Sequence, residues 1–156
     1  MPVQKLRAFL DEHQIKYIVI NHSPAYTARE AAASTLIPRR EFAKSVLVKS
    51  ADGKMLMAVV PASRHADLDA LVEASGGRAA CLATEAEFES LFPGCEAGAV
   101  PPFGNLYGIP VYADRELARE DDLAFTAGLH TQIIRMSAGD YFNLVKPVMG
   151  DFAKRE

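Results

Sequence analysis

Two β-rich segments in the middle of the chain constrain the fold more than any other feature. Residues 45–49 (Ser-Val-Leu-Val-Lys) and 55–60 (Met-Leu-Met-Ala-Val-Val) flank Ala51-Asp52-Gly53. An Asp-Gly pair between two apolar runs is a strong signal for a β-hairpin. A regular βαβ fold instead alternates parallel strands with helices. The sequence therefore favours an α+β fold, with a mixed sheet and helices packed around it, over a doubly wound one.

Five helices are predicted around this hairpin, several of them with a recognisable start. Thr27 with Glu30, and Thr84 with Glu87, have the spacing of a capping box, and Ser137 with Asp140 starts the last helix. The predicted helices cover residues 2–13, 28–34, 67–74, 84–92 and 137–145. Four more strands are predicted at residues 17–20, 110–113, 123–126 and 132–136, so that strands cluster late in the chain.

Length and charge narrow the class of protein. The 156 residues favour one domain spanning residues 1–156. No apolar run approaches the roughly 20 residues that span a bilayer, and residues 1–14 lack the apolar stretch of a signal peptide, which predicts a cytoplasmic location. Seventeen basic and twenty acidic residues give a net charge of −3. This charge disfavours binding along extended nucleic acid but permits contact with the end of an RNA.

Metal, thiol and nucleotide-loop chemistry are all disfavoured. The histidines (His13, His22, His65 and His130) are far apart, and the chain has no C-x-x-C pair, so no metal site is predicted. Cys81 lies in an apolar strand-like run typical of a buried thiol, whereas Cys95 follows a Pro-Gly turn. Neither has a neighbouring base or cationic cluster to lower the pKa of its thiol. The glycine-rich segments match neither G-x-x-x-x-G-K-S/T nor G-x-G-x-x-G, the two common phosphate-binding motifs. No cofactor is predicted.

At three places the residues alone permit both a functional and a purely structural interpretation. Gly98-Ala99-Val100-Pro101-Pro102-Phe103-Gly104, here called the 98–104 loop, sets two prolines and an aromatic residue between glycines. Such a loop permits close approach of a ligand to its backbone, and equally serves as a tight connection. Lys44 is either a solvated lysine at a strand entrance or a partner for a phosphate or a carbonyl. His130 either lines a pocket or ends a strand.

The order and spacing of these three places resemble a known family. Lys44-Ser45-Val46-Leu47-Val48, the 98–104 loop and Ala127-Gly128-Leu129-His130 are together similar to the YbaK-like family, to which the prolyl-tRNA synthetase editing domain and its free-standing relatives belong. Tyr26-Thr27-x-x-Glu30-Ala31-Ala32 also resembles the early helix of that family. The resemblance covers nearly the whole chain.

The resemblance implies a fold and an activity. The expected fold is a single α+β domain whose mixed, partly barrel-like sheet is surrounded by helices. The expected activity is hydrolysis, in trans, of the aminoacyl ester on mischarged tRNA that carries a small amino acid. Serine, threonine or alanine is favoured, with cysteine as a further candidate. The tRNA acceptor end is the expected partner, without DNA, membrane or metal, and the chain is expected to be a monomer.

The resemblance also implies the residues of the site. Lys44 is expected near the terminal adenosine and its phosphate, and the segment Gly98, Ala99, Val100, Pro101 and Pro102 is expected to hold the aminoacyl carbonyl through its backbone. Those six are the expected catalytic residues. The expected substrate-binding residues, besides Lys44, are Tyr26, Thr27, Val46, Phe103, Gly104 and His130. Arg39 and Arg40 are expected to bind tRNA.

Two other functions fit the same sequence. The pocket could hold an aminoacyl-adenosine-like or nucleotide-like molecule without turnover, as a binding module. It could also belong to a hydrolase of another small ester. Release of amino acids from a panel of charged tRNAs discriminates among the three.

Overall fold

The computed structural model describes residues 2–25, 27–76, 80–96 and 98–155. Its helices are α1 (Pro2–Glu12), α2 (Ala28–Thr35), α3 (Leu68–Ser75), α4 (Glu85–Leu91) and α5 (Ala138–Val145). Its strands are β1 (Tyr17–Asn21), β2 (Ala43–Ser50), β3 (Met55–Pro61), β4 (Arg64–Ala66), β5 (Ala80–Leu82), β6 (Val111–Asp114), β7 (Asp122–Thr126), β8 (Gln132–Ser137), β9 (Val148–Gly150) and β10 (Ala153–Arg155). Short 3₁₀ helices occupy Arg39–Glu41, Gly104–Tyr107 and Arg115–Arg119.

The described strands form three sheets. A mixed five-stranded sheet has the order β5-β2-β3-β6-β9, with β2 antiparallel to β3 and β5, and β3-β6 and β6-β9 parallel. An antiparallel sheet has the order β1-β8-β7, and β4 pairs with β10 in a two-stranded ribbon. The predicted α+β class is confirmed. The described sheets do not close into a barrel, and the mixed five-stranded sheet is accompanied by two smaller antiparallel ones.

Residues of β2 alternate between two apolar clusters. Because successive side chains of a strand point to opposite faces, odd and even positions of β2 separate. The odd positions join the main core, whose buried members include Ala43, Leu47, Val100, Phe103 and Phe125. The even positions join a smaller cluster on the other face, whose members include Val46, Val48, Ala58, Leu71 and Phe152. Lys44 and Ser45 therefore lie on opposite faces of the sheet.

The predicted hairpin and caps are present. Gly53 has φ +86°, a left-handed conformation that glycine adopts without strain, and this closes the β2–β3 turn. The Thr27 hydroxyl accepts from the Glu30 amide at 3.1 Å. Thr84 and Glu87 form the complete capping box at the start of α4, with each side chain accepting from the backbone N–H of the other.

Besides β5, which lies in the strand-like run around Cys81, three strands lie where no strand was predicted. β4 and β10 pair with each other, and β9 pairs with β6. The buried Asp114 carboxylate holds β10 in place, accepting from the Phe152 and Ala153 amides at 2.9 and 3.1 Å. These strands depend on tertiary partners rather than on local pattern, which is why sequence periodicity did not reveal them. No helix among the described residues is long and apolar enough to cross a membrane.

The Glu87 carboxylate joins α4 to β2. Lys49 Nζ lies 2.7 Å from Glu87 Oε2, and the Thr84 amide and hydroxyl both donate to Glu87 Oε1 at 3.0 Å. The ammonium of Lys49 and the donors of Thr84 together lower the pKa of Glu87 to about 2. The ionised form is therefore bound more tightly in the folded chain than in the unfolded one.

The lowered pKa of Glu87 predicts that part of the protein's free energy of unfolding depends on pH. The stabilisation by ionised Glu87 is fully present above its unfolded pKa of 4.5 and is lost as pH falls towards about 2. Glu87→Gln should therefore destabilise the protein most near pH 7, and its difference from wild type should shrink between pH 5 and pH 2. Urea unfolding across this range measures it, with Glu89→Gln on the same helix as control. A Glu87→Gln difference that is independent of pH would contradict the assignment.

Candidate functional site

The start of the 98–104 loop is hydrogen-bonded to the turn between β7 and β8. The Gly128 amide donates to the Ala99 carbonyl at 2.8 Å, and the Glu96 amide donates to the Gly128 carbonyl at 2.8 Å. The Glu96 carboxylate accepts from the His130 amide at 3.0 Å. These bonds bring together two of the three places singled out in the sequence, the loop and the turn that carries His130.

Few backbone donors of this loop are available to a ligand. Ala99 donates to the Glu96 carbonyl at 3.0 Å, and Phe103 donates to the Pro101 carbonyl at 2.8 Å. Pro101 and Pro102 have no N–H. Between residues 98 and 102, this leaves Gly98 and Val100, whose N–H groups meet no acceptor among the residues that the structure describes. Gly98 is exposed and has φ +82°.

The second half of the loop is anchored in the core. Phe103 is fully buried and packs edge-on against Phe125 and Tyr141. A Cβ on Gly104 would lie 2.7 Å from the Ile109 carbonyl and 2.9 Å from Val111 Cγ2, so packing alone requires glycine there. The structure therefore places Phe103 and Gly104, both expected to bind substrate, in the buried half of the loop.

Tyr141 fixes the loop from below. Its hydroxyl donates to the Pro102 carbonyl at 2.6 Å, and the residue is fully buried. Burial raises the pKa of this phenol well above its usual range, so the hydroxyl stays protonated and remains a donor. The contact runs from α5 to the middle of the loop and holds its prolines against the core.

His130 is buried, with 6% of its surface exposed. Its Nδ1 lies 3.0 Å from the Ala25 carbonyl, and the Ala25 amide donates to the His130 carbonyl at 3.1 Å. Because a carbonyl only accepts, Nδ1 carries the proton in this contact. His130 thereby ties the β7–β8 turn to the segment that precedes α2.

Lys44 lies in a pocket that the 98–104 loop does not line. It is half-buried on β2, opposite Val60 of β3. A pocket of about 250 Å³ is lined by Lys44, Val46, His65, Ala66, Leu68 and Leu82. Two residues expected to bind substrate, Lys44 and Val46, thus share one pocket. None of the residues of the 98–104 loop lines it.

Ser45 was not singled out from the sequence, yet it lies on the loop side of β2. Its neighbours Ala43 and Leu47 on that face belong to the cluster that contains Val100 and Phe103. Its Oγ is buried and has no hydrogen-bond partner among the described residues. A buried hydroxyl without a partner costs free energy unless a ligand or water satisfies it. Only the alternation of β2 could have indicated this position beforehand.

Thr27, Arg39 and Arg40 are not among the residues that line the Lys44 pocket. The Thr27 hydroxyl is occupied in capping α2, and Tyr26 lies outside the described residues. Arg39 and Arg40 are exposed in the 3₁₀ helix that leads into β2, where Arg40 Nε lies 3.4 Å from Glu120 Oε1.

Neither thiol has the surroundings of a nucleophile. Burial raises the pKa of Cys95 to about 11, so its thiol is protonated at neutral pH. Cys81, which its apolar run led us to expect in the interior, is exposed. The reason is that β5 is an edge strand of the five-stranded sheet.

Comparison with known proteins adds a family and two structures. The model of the aminoacyl-tRNA editing domain family matches residues 22–144. The multifunctional Ser/Thr-tRNA deacylase ProXp-y of Escherichia coli K12 is 28% identical over 155 residues, which span 97% of this chain and 92% of the relative.

Two crystal structures share the fold. One is described as a candidate trans-editing enzyme for prolyl-tRNA synthetase, with a TM-score of 0.83 at 22% identity over 98% of this chain and 97% of the other. The second is of a hypothetical protein, with a TM-score of 0.86 at 21% identity over 96% of this chain and 99% of the other.

The Tyr141 contact predicts a measurable loss of stability. Tyr141→Phe leaves the Pro102 carbonyl without its donor inside the core, which should lower the free energy of unfolding by about 1–3 kcal/mol. Urea unfolding measures the loss. Tyr112→Phe is the matched control, because the Tyr112 hydroxyl bonds to no described residue, and its loss should stay within about 0.5 kcal/mol. Equal losses in the two variants would refute the anchoring role.

Proposed function

Since the chain belongs to the aminoacyl-tRNA editing domain family, we propose that it hydrolyses the ester between a small amino acid and tRNA, acting in trans. The observation that carries the proposal is the alignment over 97% of the chain with a relative named as a Ser/Thr-tRNA deacylase. Serine and threonine are accordingly the preferred amino acids, with alanine and cysteine as weaker candidates. Residues 1–156 act together as one editing domain.

The reaction is a hydrolysis that needs no side-chain nucleophile. The oxygen of water bonds to the ester carbonyl carbon, and the bond from that carbon to the ribose oxygen breaks. The ribose oxygen takes a proton, which gives free amino acid and uncharged tRNA. The vicinal hydroxyl of the substrate's terminal ribose assists by orienting the water. This route agrees with the raised pKa of the Cys95 thiol.

The loop backbone stabilises the charge that develops on the carbonyl oxygen. In the segment from Gly98 to Pro102, the N–H groups of Gly98 and Val100 are the donors assigned to that oxygen. Fixed donors of this kind cost no reorganisation during the reaction, and loss of one typically costs about 10²–10³ in kcat. Bonds to Gly128 and Tyr141 hold the loop in shape before substrate arrives.

Lys44 anchors the acceptor end rather than taking part in bond breaking. An ammonium group at the mouth of a pocket suits a phosphate as a compact positive charge. Val46 lines the same pocket. Arg39 and Arg40, which precede β2, supply further positive charge for the tRNA.

The activity is tested on tRNAs charged with serine, threonine, alanine and cysteine. Wild-type protein should release serine and threonine well above the spontaneous rate. Lys44→Ala should lose on the order of tenfold or more in kcat/KM, with an unchanged circular-dichroism spectrum. Lys16→Ala is the control and should match wild type, because Lys16 is exposed and does not line the Lys44 pocket.

The binding-module alternative gives a different pattern in the same assay. If wild-type protein binds the charged tRNAs but releases none of the four amino acids above the spontaneous rate, hydrolysis is ruled out. Full activity of Lys44→Ala would leave hydrolysis standing and remove Lys44 from the site.

Ser45 is proposed to select among amino acids. Its hydroxyl, which has no partner among the described residues, would pair with the hydroxyl of a bound serine or threonine, an interaction that alanine lacks. Ser45→Ala should therefore reduce kcat/KM for seryl-tRNA by on the order of tenfold or more and leave alanyl-tRNA nearly unchanged. The measurement is the ratio of kcat/KM for seryl-tRNA to kcat/KM for alanyl-tRNA. Ser90→Ala, at an exposed position on α4, is the control. An equal reduction for both substrates would indicate a purely structural role.

A further inference from the structure

The two-stranded ribbon formed by β4 and β10 is rich in basic residues. β4 has the sequence Arg-His-Ala and β10 has the sequence Ala-Lys-Arg. Neither strand contains an acidic residue, although the chain as a whole has a net charge of −3. Positive charge is therefore concentrated in this ribbon, although the net charge of the chain is negative.

The pairing register sorts these side chains by face. Ala66 lies opposite Ala153, and His65 lies opposite Lys154, so the two pairs occupy alternate faces. Ala66 packs against the smaller apolar cluster, which fixes the inner face. His65 and Lys154 therefore share the outer face and are exposed. Arg155, opposite Arg64, belongs by the same alternation to the face of Ala66, and it is exposed because it lies at the free end of the ribbon beyond that cluster.

Three carboxylates around the ribbon already have partners. Glu116 lies 3.0 Å from Arg64, and Asp151, which precedes β10, lies 2.8 Å from Arg115. Asp67, which follows β4, caps α3 by accepting from the Ala70 amide at 3.2 Å. The charges of Lys154 and Arg155 are therefore not matched by these three acidic neighbours.

The ribbon is continuous with the Lys44 pocket. His65 and Ala66 of β4 line the same pocket as Lys44 and Val46. The inner face of the ribbon rests on the cluster that includes Val46. A ligand held at Lys44 through a phosphate thus has the outer face of the ribbon beside it.

We propose that this ribbon, through Lys154 and Arg155, binds the RNA backbone next to the terminal nucleotide of the tRNA. The inference rests on the proposed function, since Lys44 is placed at the terminal phosphate. Lysine and arginine on an exposed ribbon neutralise phosphates without reading sequence, which suits contact with an RNA backbone. A local patch of this size also reconciles RNA binding with the acidic chain.

Equilibrium binding of uncharged tRNA, measured by fluorescence anisotropy over a range of NaCl concentrations, tests the ribbon. Each phosphate contact removed should lower the slope of log K against log salt by about one unit. Lys154→Ala/Arg155→Ala should therefore lower the slope by about two units and raise the KM for seryl-tRNA on the order of tenfold, with kcat unchanged. Lys16→Ala/Lys54→Ala is the matched control and should keep the wild-type slope. Thermal unfolding verifies that both variants are folded.

The outcomes separate this surface from the activity. If wild type releases serine but the ribbon variant keeps the wild-type slope and KM, the ribbon does not bind RNA, while the proposed function stands. If tRNA binding depends on the ribbon but no amino acid is released, the surface stands and hydrolysis fails. Failure of wild-type protein to bind tRNA at low salt would overturn the proposed surface directly. A loss in Arg39→Ala/Arg40→Ala that the ribbon variant lacks would place the RNA at the 3₁₀ helix instead.

Discussion

Backbone hydrogen bonds between β2 and β3 set Lys44 opposite Val60 and Ser45 opposite Val59, and the organisation of the site follows from that register. A strand has a side-chain period of two, so adjacent residues point to opposite faces. A slip of one residue would exchange the two and turn Leu47 out of the main core. Burial of Leu47 therefore also fixes where the lysine and the serine lie. In the proposed site, packing and function are therefore coupled at this strand.

The 98–104 loop obtains its shape from contacts on two sides. Gly128 bonds to Ala99 from the β7–β8 turn, and Tyr141 bonds to Pro102 from α5. Two prolines remove backbone freedom between these anchors, so little entropy is lost when a ligand binds. A site that depends on backbone N–H groups needs this rigidity, because a donor displaced by one ångström no longer meets the developing charge.

Local signals made much of the fold predictable. The Asp52-Gly53 turn and the Thr84–Glu87 box depend only on residues close in sequence, and both are present as expected. β10 depends on Asp114, which lies 38 and 39 positions before its partners, and no periodicity reports such a contact. For the same reason the sequence could single out Lys44 and the 98–104 loop but could not show that the loop does not line the Lys44 pocket. The position of the Ser45 hydroxyl, which has no partner among the described residues, likewise became visible only once β2 had two defined faces.

An acidic protein that acts on RNA must keep its carboxylates from repelling the phosphates. Here several carboxylates are consumed in local pairs, such as Glu87 with Lys49 and Glu116 with Arg64. Each pair contributes little to stability where it is exposed, but it neutralises a negative charge near the surface. Salt screens charges that lie beyond a Debye length of about 8–10 Å. An approaching polyanion therefore responds to the unpaired charges of the nearest elements and not to the net charge of the protein. Net charge bounds the extent of an RNA contact; the pairing of individual carboxylates decides where that contact is allowed.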